Sequence, residues 1–358
     1  MKKLSNYFKN KKVLITGHTG FKGSWLTFWL SELGAKILGI SNNFRTDPSL
    51  FNILQLKKKI THKELNINNY KKFKKEILKF KPDYIFHLAA QSIVKESYSN
   101  PKATFETNTF GTLNLLESLK FLKKKCNVVI ITSDKSYKNL EIKRGYREND
   151  TLGGDDPYSA SKAAAELVIN SYTVNYFKNN SRISLVVARA GNVIGGGDWS
   201  SNRLIPDCVK SWSKNKKAIL RSPDSTRPWQ HVLEVIFGYI LLSISLKRKK
   251  IRNQVFNLGP KTNQIKSVIQ LVNEFKKCWN NISWVIKKRK NFFEHKLLKL
   301  NSEKIKKNIN WECILTFKET IQLTADWYKD FYFKKNNIFN KTIDQLNFYQ
   351  KKIKNFYF

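Results

Sequence analysis

Short apolar runs alternate with amphipathic stretches through the first half of the chain. Lys12-Val13-Leu14-Ile15-Thr16 has the length and composition of a buried strand. In the segment 23–34 that follows, Trp25, Leu26, Trp29, Leu30 and Leu33 recur at spacings of one, three and four, which predicts a helix. The same reading predicts strands over 36–40, 84–88, 128–132 and 183–188. It predicts helices over 69–80, stopped before Pro82, and over 101–120 and 157–175. Strands and helices in strict alternation imply a parallel sheet covered on both faces, a doubly wound α/β fold. Beyond about residue 190 the alternation weakens. Helices are expected over 204–212, 232–246, 265–279 and 317–332, among loops rich in Gly, Asp, Arg and Pro. The expected organisation is a ligand-binding α/β domain over 1–190, then a smaller lobe over 191–333 whose chain can cross back to the first domain. The stretch 334–358 reads as a peripheral helix or a loose tail.

Composition changes this picture in one respect. The 358 residues carry 66 Lys+Arg against 27 Asp+Glu, a formal charge of +39. A content of 41% hydrophobic and 13% aromatic residues supports a real core and excludes a disordered basic protein. Nucleic-acid binding is the first reading of such a charge. However, the basic set is 55 Lys and only 11 Arg, whereas phosphate-reading surfaces favour the planar guanidinium fork. The runs Lys57-Lys58-Lys59, Lys123-Lys124-Lys125, Lys247-Arg248-Lys249-Lys250 and Lys287-Lys288-Arg289-Lys290 are scattered. The charge therefore reads as Lys-rich solvated surface, with no nucleic-acid partner. The longest apolar stretch, 232–246, is broken by Glu234 and Gly238 and is shorter than a membrane span. The first residues show no signal-peptide pattern. Cys126, Cys208, Cys278 and Cys313 are widely spaced, which suits a cytoplasmic protein without disulfides or metal.

The candidate chemistry begins at Gly17-His18-Thr19-Gly20-Phe21-Lys22-Gly23, directly after the first strand. Gly17, Gly20 and Gly23 permit a tight turn and close approach of backbone to a pyrophosphate, at the N-terminus of the next helix. In this context the loop indicates dinucleotide binding and a Rossmann-type domain. The spacing resembles the extended short-chain dehydrogenase/reductase family, which implies bound NAD. In that family the second strand usually ends in a carboxylate for the adenine ribose. Here it ends Ser41-Asn42-Asn43, so Ser41 or Asn42 is left to bond the ribose, Arg45 to meet a 2′-phosphate, and NAD against NADP stays open. By the same resemblance Asn66 and Ile67 contact adenine. Leu88, Ala89, Ala90 and Gln91 let the cofactor lie against the backbone, and Asn108 is a buried tie.

Tyr158 and Lys162 stand four apart on a predicted helix, so both lie on one face. A lysine cation beside a phenol favours phenolate, which suits proton exchange with a sugar hydroxyl. Ser133, at the end of an upstream strand, takes the family's Ser/Thr position.

The two residues after Ser133 are Asp134 and Lys135. An acid/base pair there resembles the nucleotide-sugar 4,6-dehydratases. The segments Ala190-Gly191-Asn192-Val193-Ile194-Gly195-Gly196-Gly197-Asp198-Trp199, Arg203-Leu204-Ile205-Pro206-Asp207 and Arg221-Ser222-Pro223-Asp224-Ser225-Thr226-Arg227-Pro228-Trp229-Gln230-His231 resemble the CDP-glucose 4,6-dehydratase family. Asp47-Pro48-Ser49-Leu50-Phe51 and the Ser-Asp-Lys triplet do so as well. That resemblance implies a hydro-lyase with internally recycled NAD, in deoxysugar and surface-polysaccharide biosynthesis. Its substrate would be CDP-glucose, and its product CDP-4-dehydro-6-deoxy-D-glucose. It implies Tyr158, Lys162 and Ser133 at the C4 hydroxyl, Lys135 as the C5 base and Asp134 as the acid at C6. The implied substrate contacts are Gln91, Asn192, Trp199, Arg203, Leu204, Arg221, Arg227 and His231, with Arg203 and Arg227 on the diphosphate. Trp199 and Trp229 suit sugar or base stacking and core packing equally, and His231 suits a structural role equally. A dTDP- or GDP-linked dehydratase and a 4-epimerase are the neighbouring readings. The family also implies a homodimer, or a dimer of dimers, through helices beginning near Pro101 and Pro157.

Overall fold

The computed structural model describes residues 2–44, 46–261, 265–287, 297–334 and 337–357. Arg45 and the Lys288-Arg289-Lys290 end of one basic run lie outside the described residues. Seven strands form the main sheet: β1 (Lys12–Thr16), β2 (Lys36–Ser41), β3 (Thr61–Glu64), β4 (Tyr84–His87), β5 (Cys126–Ser133), β6 (Ile183–Ala190) and β7 (Gln254–Leu258). Their order is β7-β6-β5-β4-β1-β2-β3, and every pairing is parallel. The strands seen in the sequence as apolar runs are the central ones, buried on both faces. Polar Thr61-His62-Lys63-Glu64 forms the edge strand β3, which is why no apolar run marks it. β7 comes from beyond residue 191 and lies beside β6, so the chain returns to the first domain.

The strand order reverses between β1 and β4. Such a switch point opens a crevice at the carboxyl ends of the strands, here at Thr16, His87 and Ser133. Thr16 Oγ1 and His87 Nδ1 lie 2.8 Å apart across the switch.

Two apolar layers sandwich the sheet. Leu14, Leu38 and Ile85 face one layer, with Leu115, Leu116 and Leu119. Val13, Ile15 and Phe86 face the other. In that second layer helix α1 (Phe21–Glu32) is buried continuously from Gly23 to Leu30, as befits a helix apolar all round. Helix α2 (Tyr70–Phe80) is capped by Asn69, whose side chain accepts from Lys72 N–H. Helix α3 comprises Pro101–Phe105 and Gly111–Lys120, joined by a π-helical turn at Glu106–Phe110. Helix α4 (Pro157–Tyr172) starts on Pro157 with Asp156 as its cap and runs into a second π-helical turn, Thr173–Phe177.

The second half adds α5 (Leu204–Trp212), α6 (Val232–Lys247), α7 (Val268–Cys278), α8 (Phe317–Lys329) and α9 (Ile338–Tyr357). One expected helix begins later than predicted. Ile265–Ser267 is a strand, antiparallel to Thr226–Pro228. Ser267 then caps α7 in a reciprocal capping box with Gln270. In the stretch 334–358, helix α9 buries Leu346, Tyr349 and Ile353 in the larger core. Tyr349 donates to the buried Glu234 carboxylate at 2.6 Å. No described helix is long and apolar enough to cross a membrane.

Candidate active site

The glycine turn after β1 is shaped by contacts that exclude side chains. Gly17 has φ +74°, and a Cβ there would fall 2.7 Å from Ala89 N; at Gly23 it would fall 2.0 Å from Gly17 O. Gly20 differs, because a Cβ there would meet only Gly17 O, at 3.4 Å. The space over Gly20 is open. Gly20 is also the N-cap of α1 and offers no side-chain acceptor, so the first-turn N–H groups are presented to that space. An uncapped helix N-terminus beside an open glycine fits a pyrophosphate. Thr16 Oγ1 accepts from Ala89 N–H at 3.2 Å, holding the 88–90 backbone against the turn. Leu88, Ala89 and Ala90 are half-buried there.

At the end of β2, Ser41 is buried and its hydroxyl accepts from Thr19 N–H at 3.4 Å; Asn42 is exposed. Asn66 is exposed beside buried Ile67, whose carbonyl accepts from Asn114 at 3.0 Å. Ile67 also presses on Gly111, where a Cβ would lie 2.4 Å away. Asn108 sits in the π-helical turn of α3. It accepts from Gln91 N–H at 2.8 Å and donates to Gln91 O at 3.0 Å and to Ser161 Oγ at 2.9 Å. It therefore ties the loop after β4 to α4. The Gln91 side chain bonds within its own surroundings, to Ile93 and Thr104.

The catalytic candidates converge where β5 ends. Ser133 Oγ donates to Asp134 Oδ1 at 2.9 Å and accepts from Lys135 N–H at 3.2 Å. Tyr158, on the first turn of α4, is held by Ser97 Oγ, which accepts its N–H at 3.1 Å. Burial pushes the Tyr158 phenol up, against the Ser133 hydroxyl and the Arg203 cation, which favour phenolate. Burial brings the Lys162 amine down to about 7, aided by the Lys22 cation and opposed by Glu166. Asp134 is 3% exposed and Oδ2 has no hydrogen-bond partner among the described residues. Burial pushes its carboxyl up, against the neighbouring cations Lys135 and Arg227. A carboxyl biased towards its protonated form beside a phenol and two lysines is a natural proton donor. Lys135 is half-buried at the same turn.

Two participants carried no signal beyond their motif or helix. Lys22, inside the glycine turn, is half-buried. Burial and the Arg203 cation bring it down to about 8, while Asp134 and Asp198 oppose the shift. Glu166 is fully buried one turn beyond Lys162. A residue at the spacing of a catalytic helix face was the only available clue to it.

The substrate candidates separate. Arg203 is part-exposed, bound to Asp198 at 3.1 Å and Ser92 at 3.2 Å, and its charge reaches Tyr158 and Lys22. Arg227 is buried, and its charge reaches Asp134. Arg221 lies further out, with Asn202 at 3.4 Å and Asp207 at 3.9 Å. Asn192 is half-buried between β6 and the short strand Val193–Ile194, and Leu204 opens α5. Trp199 is 2% exposed, donates to Tyr332 Oη at 3.1 Å and packs on Trp327 and Phe331, so its ring belongs to the core behind the loop. Trp229 is buried as well and donates to Lys266 O. His231 is fully buried and caps α6 by accepting from Leu233 N–H at 3.3 Å; burial brings its imidazole down to about 3, hence neutral. Arg189, one of the loop arginines, is not available to phosphate, because it is buried against Glu166. No cluster of three metal-ligating side chains occurs among the described residues.

Comparison with known proteins places this geometry. The chain is 40% identical over 330 residues to a CDP-glucose 4,6-dehydratase of Salmonella typhimurium, covering 90% of this chain and 92% of that one. It is 26% identical to a UDP-glucose 4-epimerase of Mycoplasma genitalium, covering 90% and 97%. The fold matches a dTDP-glucose 4,6-dehydratase of Streptomyces venezuelae solved with NAD and TYD bound. That match has a TM-score of 0.76 at 20% identity and covers 89% of this chain and 97% of that one. Residues 14–324 match the GDP-mannose 4,6 dehydratase family. The chain therefore belongs to that family of extended short-chain dehydrogenase/reductases.

Proposed function

We propose that this protein is a CDP-glucose 4,6-dehydratase, which converts CDP-D-glucose to CDP-4-dehydro-6-deoxy-D-glucose and water. The observation that carries this reading is the Ser133-Asp134-Lys135 turn at the end of β5, set beside Tyr158 and Lys162. It supplies an extra acid and base that a simple oxidation of the sugar does not need. The relative at 40% identity supports the cytidine nucleotide. Gly17, Gly20 and Gly23 would hold NAD, which would supply a reversible hydride acceptor. Tyr158 takes the proton of the C4 hydroxyl, with Ser133 bonded to the same oxygen and Lys162 favouring phenolate. Lys135 takes the proton from C5, made acidic by the adjacent ketone. Asp134 gives its proton to the departing C6 oxygen, and Lys135 gives its proton back to C5 as the hydride is returned to C6. Arg203 and Arg227 hold the diphosphate by charge-assisted hydrogen bonds.

Incubation with CDP-, dTDP- and GDP-hexoses, followed by mass spectrometry, tests the reading. Loss of one water from CDP-glucose is expected. Loss from a dTDP- or GDP-sugar alone shifts the nucleotide, and an epimerised product without water loss overturns the dehydratase. Lys135→Met retains NAD binding and loses water elimination; retained elimination removes Lys135 as the base.

The working unit is a homodimer. Exposed Phe110 on α3, with Leu167 and Val174 on and beyond α4, supplies an apolar face of the kind that pairs helices. Sedimentation equilibrium tests it, and a monomer overturns it. The four thiols are free, which suits the reducing cytoplasm, where deoxysugar units of surface polysaccharides are made.

A further inference from the structure

Asp198 lies in the loop between the short strand Val193–Ile194 and α5, and it is 4% exposed. Its carboxylate has two partners. Oδ1 accepts from Ser200 N–H at 2.9 Å, and Oδ2 accepts from Arg203 Nη1 at 3.1 Å. Its main chain is clipped by one hydroxyl. Tyr328 on α8 accepts from Asp198 N–H at 3.0 Å and donates to Asp198 O at 2.5 Å. The preceding residues are pressed onto the same helix, since a Cβ at Gly196 would lie 2.0 Å from Trp327 Cγ. Trp25, one turn into α1, donates to Gly196 O at 2.9 Å. The carboxylate is thus fixed to both the cofactor-side helix and the second lobe. Arg203 is not rigid by itself, for a free guanidinium chain samples many rotamers. Its other terminal nitrogen donates to Ser92 Oγ at 3.2 Å, in the loop after β4. Two of its five N–H donors are so engaged, and its side chain stays 34% exposed.

We propose that Asp198 is a positioning residue, which aims Arg203 across the crevice so that its remaining donors meet the substrate diphosphate. The proposal rests on the reading of Arg203 as a diphosphate ligand. Preorganisation of this kind acts on affinity, because the ordering cost is met before the ligand arrives.

A double-mutant cycle tests it. Asp198→Asn raises KM for CDP-glucose by about tenfold or more, with kcat and NAD affinity changed less than about threefold. Asp198→Glu recovers part of the loss. In an Arg203→Gln background the Asp198→Asn effect vanishes, because coupled residues are non-additive. Equal losses in both backgrounds overturn the proposal, since they show a merely structural role. Should Asp198→Asn fail to fold, Asp198→Glu, which keeps the charge and displaces the carboxylate, replaces it in the cycle, with the same outcomes. A wild-type chain without turnover of CDP-glucose overturns the functional reading instead. The cycle read by calorimetric titration with CDP then still decides whether Asp198 acts through Arg203.

Discussion

Glu166 and Arg189 form a buried ion pair directly behind the catalytic strand end. Arg189 Nε lies 2.8 Å from both Glu166 oxygens, and Nη2 donates to Oε2 as well. Thr132, the residue before Ser133, donates to Oε1 at 2.7 Å. The guanidinium also lies over the Tyr137 ring, 4.5 Å from its centroid. The pair therefore fastens α4 to β5 and β6, one turn past Lys162 and beside the strand end that carries Ser133. Removing one partner leaves a buried charge alone, so Glu166→Ala costs about 3–5 kcal/mol of stability. Replacing both, as Glu166→Leu with Arg189→Met, costs less than the sum of the singles. Denaturant unfolding measures both, and additive losses contradict the pairing.

The glycines separate fold from binding. Gly23→Ala drives a Cβ to 2.0 Å from the Gly17 carbonyl, so it lowers Tm and loses NAD together. Gly20→Ala meets no such contact and changes stability by about 1 kcal/mol or less, yet it fills the open space and weakens NAD binding by about tenfold or more. Thermal unfolding beside NAD titration checks the contrast. A Gly20→Ala protein with unchanged NAD affinity would place the pyrophosphate elsewhere.

Lys22 helps hold the Lys162 amine down at about 7. Removing that cation in Lys22→Met lets Lys162 keep its proton to higher pH. The inflection in kcat/KM that belongs to Lys162 moves upward, as a pH–rate profile would record. A downward or absent shift counts against the contact.

Glu234 provides a pH signature away from the crevice. It is 1% exposed and accepts from Ile314 N–H, Leu315 N–H and Tyr349 Oη. Burial pushes its carboxyl from 4.5 up to about 7, against those bonds. The folded state thus keeps a proton that the unfolded chain releases. This contribution to stability is complete below about pH 4.5 and is lost as pH rises through about 7, with an upper size of about 3 kcal/mol. Glu234→Gln flattens that slope. Unfolding free energies across the window test the sign, and a slope of the opposite sense refutes it.

Much of the site was legible because its chemistry is local. Gly17 to Gly23 needs only the strand before it and the helix after it. Tyr158 and Lys162 need only one helix face, and Ser133 needs only a strand end. What escaped notice depends on partners distant in sequence. Lys22 is only a position inside the glycine motif in the sequence, yet its amine interacts with Arg203, Asp134 and Asp198. Trp199 looked as suited to a ligand as to a core, and its contacts with Trp327 and Phe331 settle it into the core. Arg189 carries no mark in the sequence of its buried partner Glu166, 23 residues away.

The sequence by itself determined the alternation of strands and helices, the glycine turn, and the spacing of the candidate catalytic side chains. Each of these follows from periodicity or from steric rules acting over a few residues. Only the tertiary structure decided which charges are paired, which are buried, and which face the crevice. Those outcomes depend on desolvation and on contacts between segments distant in sequence, such as Trp25 with Gly196, 171 residues apart. The large positive charge illustrates the division. Composition set its size and the motifs pointed to Lys135, Lys162, Arg203 and Arg227 among 66 basic residues, but only packing brought Lys22 to the same crevice.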